Sequence, residues 1–571
     1  MKRRSPITAL ARLLLALVLA FSLSAETLAC TSVFVGKEAS ATGKVLIARN
    51  EDYRSGWAKH FIVNEAVDVA SGDVQTLWSG MELGYPEGMT KTLKYFSVPD
   101  WVYLEDDEYV PMDEVGINEA GVAVSATETQ GQNATVRTLG INPLDGLIEE
   151  SQIPSIILPR ARTAREGVTI FGAAIETFGA EESGGFAIAD KDEVWYIEYS
   201  GRLWAAARVP DDRYIIVPNE NVLSNFNPAD GENFLGAADV LPLARENALL
   251  PEAEMTDAYV AAYGFNFAKA FGSVGNFAGN GVRVWWGHQH FTPSLVQKPA
   301  QEQYPFFMKP DEKITKKAIM DFLKSDNYYG TTYENARPAV RDVARPIAVR
   351  TNIESHIVEM GQDDETPGAI GNVLWLAMGN VHDSVYLPFC SGITEIPEAY
   401  GKGTDVRDEE SAFWAFYGPA KDAQGSDDAY GTKLERALQA YWNPYQEALL
   451  EAHDDFIASA KRKWSAIGTA DAASDLTAYL NDQARVFSEK ALAKSQEFAV
   501  EIAAIVDVVS DDPTVSDDFA PLFDEADAPK AEDVAGYVTA SGSSSGGCSA
   551  GAFAPAALLL LAPLAFLRRR S

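Results

Sequence analysis

Apolar and polar positions alternate from Cys30 to Val35 (Cys-Thr-Ser-Val-Phe-Val) and again from Val45 to Ala48, which predicts two strands. Gly36 to Lys44 lies between them and reads as a hairpin turn. Gly116 to Thr127 has the same form: a turn at Asn118-Glu119-Ala120-Gly121, then an alternating run. Phe186 to Tyr199 and Leu203 to Val209 read as two further strands joined at Ser200-Gly201. The period changes over Ile153 to Phe178, where Ala161, Ala164, Val168, Phe171 and Ile175 recur at helical spacing. It stays helical from Lys433 to Val508, with Leu, Ala and Tyr at three- and four-residue steps. No internal repeat is visible. Strands lead, helices are inserted and a helical block follows, so the pattern predicts an α+β body with a C-terminal helical extension.

Both ends carry patterns that do not belong to such a body. A basic start (Lys2, Arg3, Arg4), an apolar run from Leu10 to Leu23 and the small residues Ser24, Ala25 and Ala29 make a secretory leader, predicted to span residues 1–29. Removal after Ala29 would leave Cys30 first; removal after Ala25 would leave a short propeptide. At the other end, Ser541 to Gly547 is a Ser/Gly linker, followed by Cys548, an apolar stretch from Gly551 to Leu567 and Arg568 to Arg570. The stretch is at the lower limit for a spanning helix, and the arginines would hold that end inside. The layout resembles bacterial C-terminal sorting signals; a plain membrane anchor is the alternative. Either way the body is expected outside the cytoplasm. Asp507 to Asp533 holds ten acidic residues and one Lys with scattered Pro, and reads as a solvated spacer. The expected division is therefore leader 1–29, catalytic body with C-terminal helices 30–505, linker 506–547 and sorting signal or anchor 548–571.

Charge and cysteine count narrow the chemistry. A net charge of −35 argues against nucleic acid as a partner, because phosphate backbones call for Lys and Arg. Of three cysteines, Cys548 falls in the tail, so a Cys30–Cys390 disulfide is the plain structural alternative for the other two. Gly542 to Gly546 matches a nucleophile-elbow pattern, but no strand precedes it. There is no His-Glu-x-x-His; His288 and His290 would share one face of a strand, but no third ligand lies near them in sequence. Neither a metal nor another cofactor is expected. Nor does a Ser/His pair stand out.

Cys30 offers a different route. A cysteine at a mature N-terminus brings its own base, because an α-amine titrates near pH 8 and can activate the nucleophile beside it. A nearby Arg favours thiolate, and a carboxylate can hold the amine. Arg49-Asn50-Glu51-Asp52 on the returning strand supplies both.

These residues carry a resemblance. Cys30 to Ser40 followed by Ile47 to Asp52 resembles the opening of the dipeptidase A-type cysteine peptidases, N-terminal-nucleophile hydrolases related to penicillin V acylase and bile-salt hydrolase. Gly116 to Thr129, Leu158 to Val168 with Asp190 to Trp195, and Arg345-Pro-Ile-Ala with Glu354 to Ile357 resemble later blocks in the same order, so the likeness spans roughly residues 30 to 500. It implies a four-layer αββα sandwich, with Cys30 as nucleophile and Arg49 and Asp52 tuning and orienting it. It also implies that Asn219 donates to the oxyanion and that Arg283 is the family's last conserved Arg. Where the acylases place a second oxyanion Asn, this chain has Glu128. We expect Glu128 to bind the free α-amine of a peptide, a cation that acyl-amide substrates lack.

The expected function is a secreted or surface-anchored dipeptidase acting on dipeptides or short peptides, with the membrane as a partner through the C-terminal segment. One alternative is an N-acyl amide hydrolase. Another is a non-enzymatic surface lipoprotein, since Leu28-Ala29-Cys30 resembles the end of a lipobox. Arg49 and Asp52 as a surface ion pair, Asn219 as a turn residue, Arg283 paired with a carboxylate or stacked on Trp285, and Glu128 as a structural acid are the bland readings. Trp195 and Tyr196 are expected in the core.

Overall fold

The computed structural model describes residues 30–101, 113–274, 277–301, 303–334, 345–425, 432–466, 470–509 and 519–539. The leader 1–29 and the tail from Ala540, including the Ser/Gly linker, Cys548 and the apolar stretch, lie outside them. Among the described residues no helix is long and apolar enough to cross a membrane.

The chain opens with the expected hairpin, β1 (Thr31–Val35) and β2 (Val45–Asp52). After β3 (Ile62–Asn64) and a small ribbon, β4 (Val74–Thr76) with β5 (Glu82–Gly84), come β6 (Tyr95–Pro99), β7 (Asp113–Asn118) and β8 (Ala123–Gln130). Then follow β9 (Ser183–Ala189), β10 (Val194–Ser200), β11 (Leu203–Arg208), β12 (Tyr214–Val217) and β13 (Phe234–Gly236). Much later come β14 (Asn352–Met360), β15 (Asn372–Met378) and β16 (Leu387–Cys390). They form a six-stranded sheet, β12-β1-β2-β14-β15-β16, and an eight-stranded sheet, β13-β11-β10-β9-β8-β7-β6-β3.

The two sheets pack face to face. Phe34 on β1 meets Tyr196 on β10 with ring centroids 6.0 Å apart, and Ser125 on β8 bonds His356 on β14 at 2.8 Å. Helices Ile153–Ile157 and Ala164–Phe178 cover the eight-stranded sheet. Helices Val282–Phe291, Lys316–Leu323 and Ala412–Gln424 cover the six-stranded one. The four layers make a helix–sheet–sheet–helix sandwich. Because both faces of each sheet are covered, β1, β2, β9, β10, β14 and β15 are buried along their whole length. Trp195 and Tyr196 are part of that core.

Local chemistry places the breaks. The helical run over 153–178 divides in two, because Pro159 interrupts the pattern and Thr163 starts a second helix by accepting from the Glu166 N–H at 3.1 Å. Phe186 to Tyr199 is two strands rather than one. Asp190 Oδ1 accepts from the N–H groups of Asp192 (2.8 Å) and Glu193 (3.1 Å), an Asx turn that reverses the chain. His288 and His290 lie on a helix, not a strand, where residues two apart point to different sides. His288 Nδ1 bonds Gln297 Oε1 at 2.9 Å and His290 Nε2 bonds the Ala318 carbonyl at 3.0 Å.

The helical block consists of Lys433–Ala466 and Ala470–Val509. The expected boundary at 505 and the spacer reading of the following segment both need correction. The second helix runs to Val509, and residues 519–539 pack back onto the block. Phe519 stacks edge-on to Phe498 at 5.7 Å and Phe523 to Tyr441 at 5.8 Å. Asp527 accepts from the Tyr441 hydroxyl at 2.7 Å, and Lys490 pairs with Asp533 at 2.7 Å. Mean acidity hid a sparse set of apolar anchors (Phe519, Ala528, Ala531, Val534) that the helices bury.

Candidate active site

The hairpin register builds the site. Thr31 opposes Asn50 and Ser32 opposes Arg49, so the end of β2 runs alongside the residue that precedes β1. Arg49 Nη2 donates to Cys30 Sγ at 2.9 Å. Cys30 is 4% exposed. It is a free thiol, as is Cys390 on β16. Burial pushes the Cys30 thiol up, while the Arg49 charge pulls it down.

The Cys30 backbone is held from the opposite side. Arg283, on the helix over β12, donates from Nη1 to the Cys30 carbonyl at 2.5 Å and to Thr31 Oγ1 at 2.8 Å. Its Nη2 donates to Asn219 Oδ1 at 3.2 Å and to Asn280 Oδ1. Burial brings the Arg283 guanidinium down to about 10. Asn219 follows β12, which pairs with β1 through Val217 and Ser32. Its backbone carbonyl accepts from Asn280 Nδ2 at 3.1 Å, whereas its own side-chain Nδ2 is buried with no hydrogen-bond partner.

Asp52 closes β2. Its carboxylate is gripped by Arg345 at 2.7 Å and by the Asn352 side chain. Burial lifts it to about 6 against the pull of Arg345. Arg49 and Asp52 are thus not an exposed pair of their own: each is buried and each has other partners. Glu128 reaches in from β8 in the facing sheet. Its Oε1 accepts from Ser32 Oγ and lies 4.0 Å from Arg49 Nε, and its Oε2 is buried without a hydrogen-bond partner. Burial pushes Glu128 up to about 7, with Arg49 opposing.

With this arrangement in view, the comparisons are specific. The family model described as Peptidase family C69 matches residues 29–439. The chain belongs to peptidase family C69. The matched region of this family member begins one residue before the buried Cys30. It is 32% identical over 394 residues to "Probable dipeptidase B" of Lactococcus lactis subsp. lactis (strain IL1403), covering 67% of this chain and 79% of that protein. It is 30% identical over 438 residues to "Dipeptidase A" of Lactobacillus helveticus, covering 74% and 86%. "Probable dipeptidase" of Salmonella dublin is 33% identical over 384 residues, covering 66% and 84%.

Every site residue singled out in the sequence lies in this one constellation: Cys30, Arg49, Asp52, Glu128, Asn219 and Arg283. Four contributors were not given roles. Ser32 lies two residues along β1 from Cys30 and ties to Glu128; strand alternation alone points to it. Arg345 stood in a recognised block but with no partner to assign. Glu114, on β7, places Oε2 3.2 Å from Arg49 Nη1. Asn352 reaches Asp52 only because β14 pairs with β2. Among the described residues, one group has metal-ligand side chains, His382, Asp383 and Glu435. It is neutralised internally: His382 lies 3.0 Å from Asp383 and 3.4 Å from Asp326, and Glu435 pairs with Arg350 at 2.9 Å.

Proposed function

We propose that this C69 peptidase is a dipeptidase matured outside the cytoplasm, with Cys30 as an N-terminal nucleophile. The observation that carries the reading is the 2.9 Å contact between Arg49 Nη2 and Cys30 Sγ at the start of the family match. Removal of residues 1–29 turns the Cys30 peptide nitrogen into an α-amine, a base beside the thiol. Arg49 then favours thiolate. The thiolate attacks the scissile carbonyl, and the unpartnered Asn219 Nδ2 donates to the oxyanion, a contribution of about 3 kcal/mol to the barrier. The ammonium protonates the leaving amine, which departs and leaves a thioester; the amine then activates water to release the acid. Arg283 holds the Cys30 carbonyl so that thiol and amine keep their geometry. The unpartnered Oε2 of Glu128 receives the substrate α-ammonium. The tail from Cys548 serves as a sorting signal or anchor.

The test is intact mass and N-terminal sequencing of the mature protein together with a dipeptide hydrolysis assay. A chain beginning at Cys30 that releases amino acids from dipeptides, and a Cys30→Ala variant that does not, is the expected result. A diacylglyceryl Cys30, or a chain beginning elsewhere with undiminished turnover, overturns the mechanism.

A further inference from the structure

Arg49 and its surroundings hold more negative charge than they neutralise. The cations Arg49 and Lys59 are buried among four carboxylates, Glu51, Asp100, Glu114 and Glu128. Lys59 pairs with Glu51 at 2.9 Å and Asp100 at 2.7 Å. Arg49 is shared three ways: Nη2 to Cys30 Sγ at 2.9 Å, Nη1 to Glu114 Oε2 at 3.2 Å, and Nε 4.0 Å from Glu128 Oε1. Glu128 Oε2 is buried and unpartnered, and Glu114 Oε2 makes no hydrogen bond although it lies near Arg49. A buried surplus of carboxylate is costly unless a proton or a cation joins it, and burial pushes Glu114 up, so an arriving ammonium can replace the proton.

Resting on the dipeptidase reading, we propose that Glu114 is a specificity-determining residue that, with Glu128, receives the α-ammonium of the substrate and confines cleavage to the first peptide bond of unblocked peptides. Substrate geometry makes the link. A reacting carbonyl carbon sits about 3–3.5 Å from the nucleophile, and the α-nitrogen of the same residue is about 2.5 Å further on. The ammonium therefore lies within about 6 Å of Cys30 Sγ, the neighbourhood of the two Arg49-bound carboxylates. An amine one residue further away would be displaced by about 3.3–3.6 Å and would lose this partner. An acylated nitrogen brings no charge and leaves both acids as they were.

The experiment compares kcat and KM for alanyl-alanine and N-acetyl-alanyl-alanine in the wild type, Glu114→Gln and Glu114→Asp, and analyses the first products from alanyl-leucyl-phenylalanine. We expect the wild type to prefer the unblocked dipeptide by about 100-fold and Glu114→Gln to shrink that preference by about 10- to 100-fold, through KM, as a charge-assisted contact is lost. Glu114→Asp restores part of it, and the tripeptide first releases alanine and leucyl-phenylalanine; alanyl-leucine and phenylalanine as the first products would overturn the confinement to the first bond. Equal losses on both dipeptides in Glu114→Gln would reduce Glu114 to a support for Arg49 and overturn the proposal. So would a wild type that cleaves the acetylated dipeptide as well as the free one, a result that needs no variant to fold. A wild type that cleaves neither peptide overturns the dipeptidase reading itself.

Discussion

At the scale of single residues, the site is a set of buried polar groups, and Asn219 Nδ2 and Glu128 Oε2 are among those without a hydrogen-bond partner. A buried polar group with no partner costs free energy, so each marks a place where the substrate is expected to supply one. Asn219→Ala is predicted to lower kcat by about 100- to 1000-fold with little change in KM, measured by steady-state dipeptide hydrolysis. Glu128 gives a pH dependence whose sign follows from its role. Burial, outweighing Arg49, pushes it up to about 7, and only its ionised form pairs with an ammonium. Hence kcat/KM should rise with pH through about 7 as Glu128 ionises, rise again as the Cys30 α-amine loses its proton near pH 8, and fall where the substrate α-amine loses its own. A pH profile of Glu128→Gln should lose the limb near 7 and keep the one set by the Cys30 α-amine near pH 8; an unchanged lower limb would assign it to another group, such as Asp52 at about 6.

At the scale of elements, the β1–β2 hairpin carries the proposed chemistry and close backbone packing holds it. A Cβ at Gly36 would lie 2.4 Å from the Pro210 carbonyl oxygen and 2.6 Å from that of Asp211, and main-chain atoms cannot rotate away. Gly36→Ala is therefore predicted to cost about 1–3 kcal/mol, visible as a lower denaturation midpoint in urea. Gly121, with φ +83° in the turn before β8, is the residue type that turn requires. The alternation of β1 and β2, the turn before β8 and the two long helices were all legible in the sequence, because each is decided by residues close together in the chain. The Asx turn at Asp190 was present in the sequence too, but an apolar run on both sides concealed it.

At the scale of the whole molecule, the helical block and residues 519–539 form a buttress on the six-stranded side, with the second long helix packed on β16. The segment is bound through aromatic anchors as well as through Asp527 and Asp533. Phe519, 5% exposed, gives the direct test. Phe519→Ala should lower stability by about 3 kcal/mol while kcat/KM for a dipeptide stays unchanged, as read from denaturant melts and kinetics on the same sample. A loss of turnover without loss of stability would instead tie this buttress to the active site.

The order of strands and helices, the proposed nucleophile and its neighbours on the first hairpin follow from the sequence by itself. Periodicity is a local property, and Cys30, Arg49 and Asp52 are joined by a single turn. The resemblance to known peptidases carried the reading further, to Asn219, Arg283 and Glu128, but without their partners. Tertiary structure alone decided that Arg345 and Asn352 hold Asp52, that Glu114 shares Arg49 with the thiol, and that an acidic segment folds back onto two helices. The site pairings among these span from 65 to 300 residues of chain. Glu114 meets Arg49 because two sheets pack face to face, and Asn352 meets Asp52 because β14 pairs with β2, juxtapositions set by packing that no stretch of sequence records.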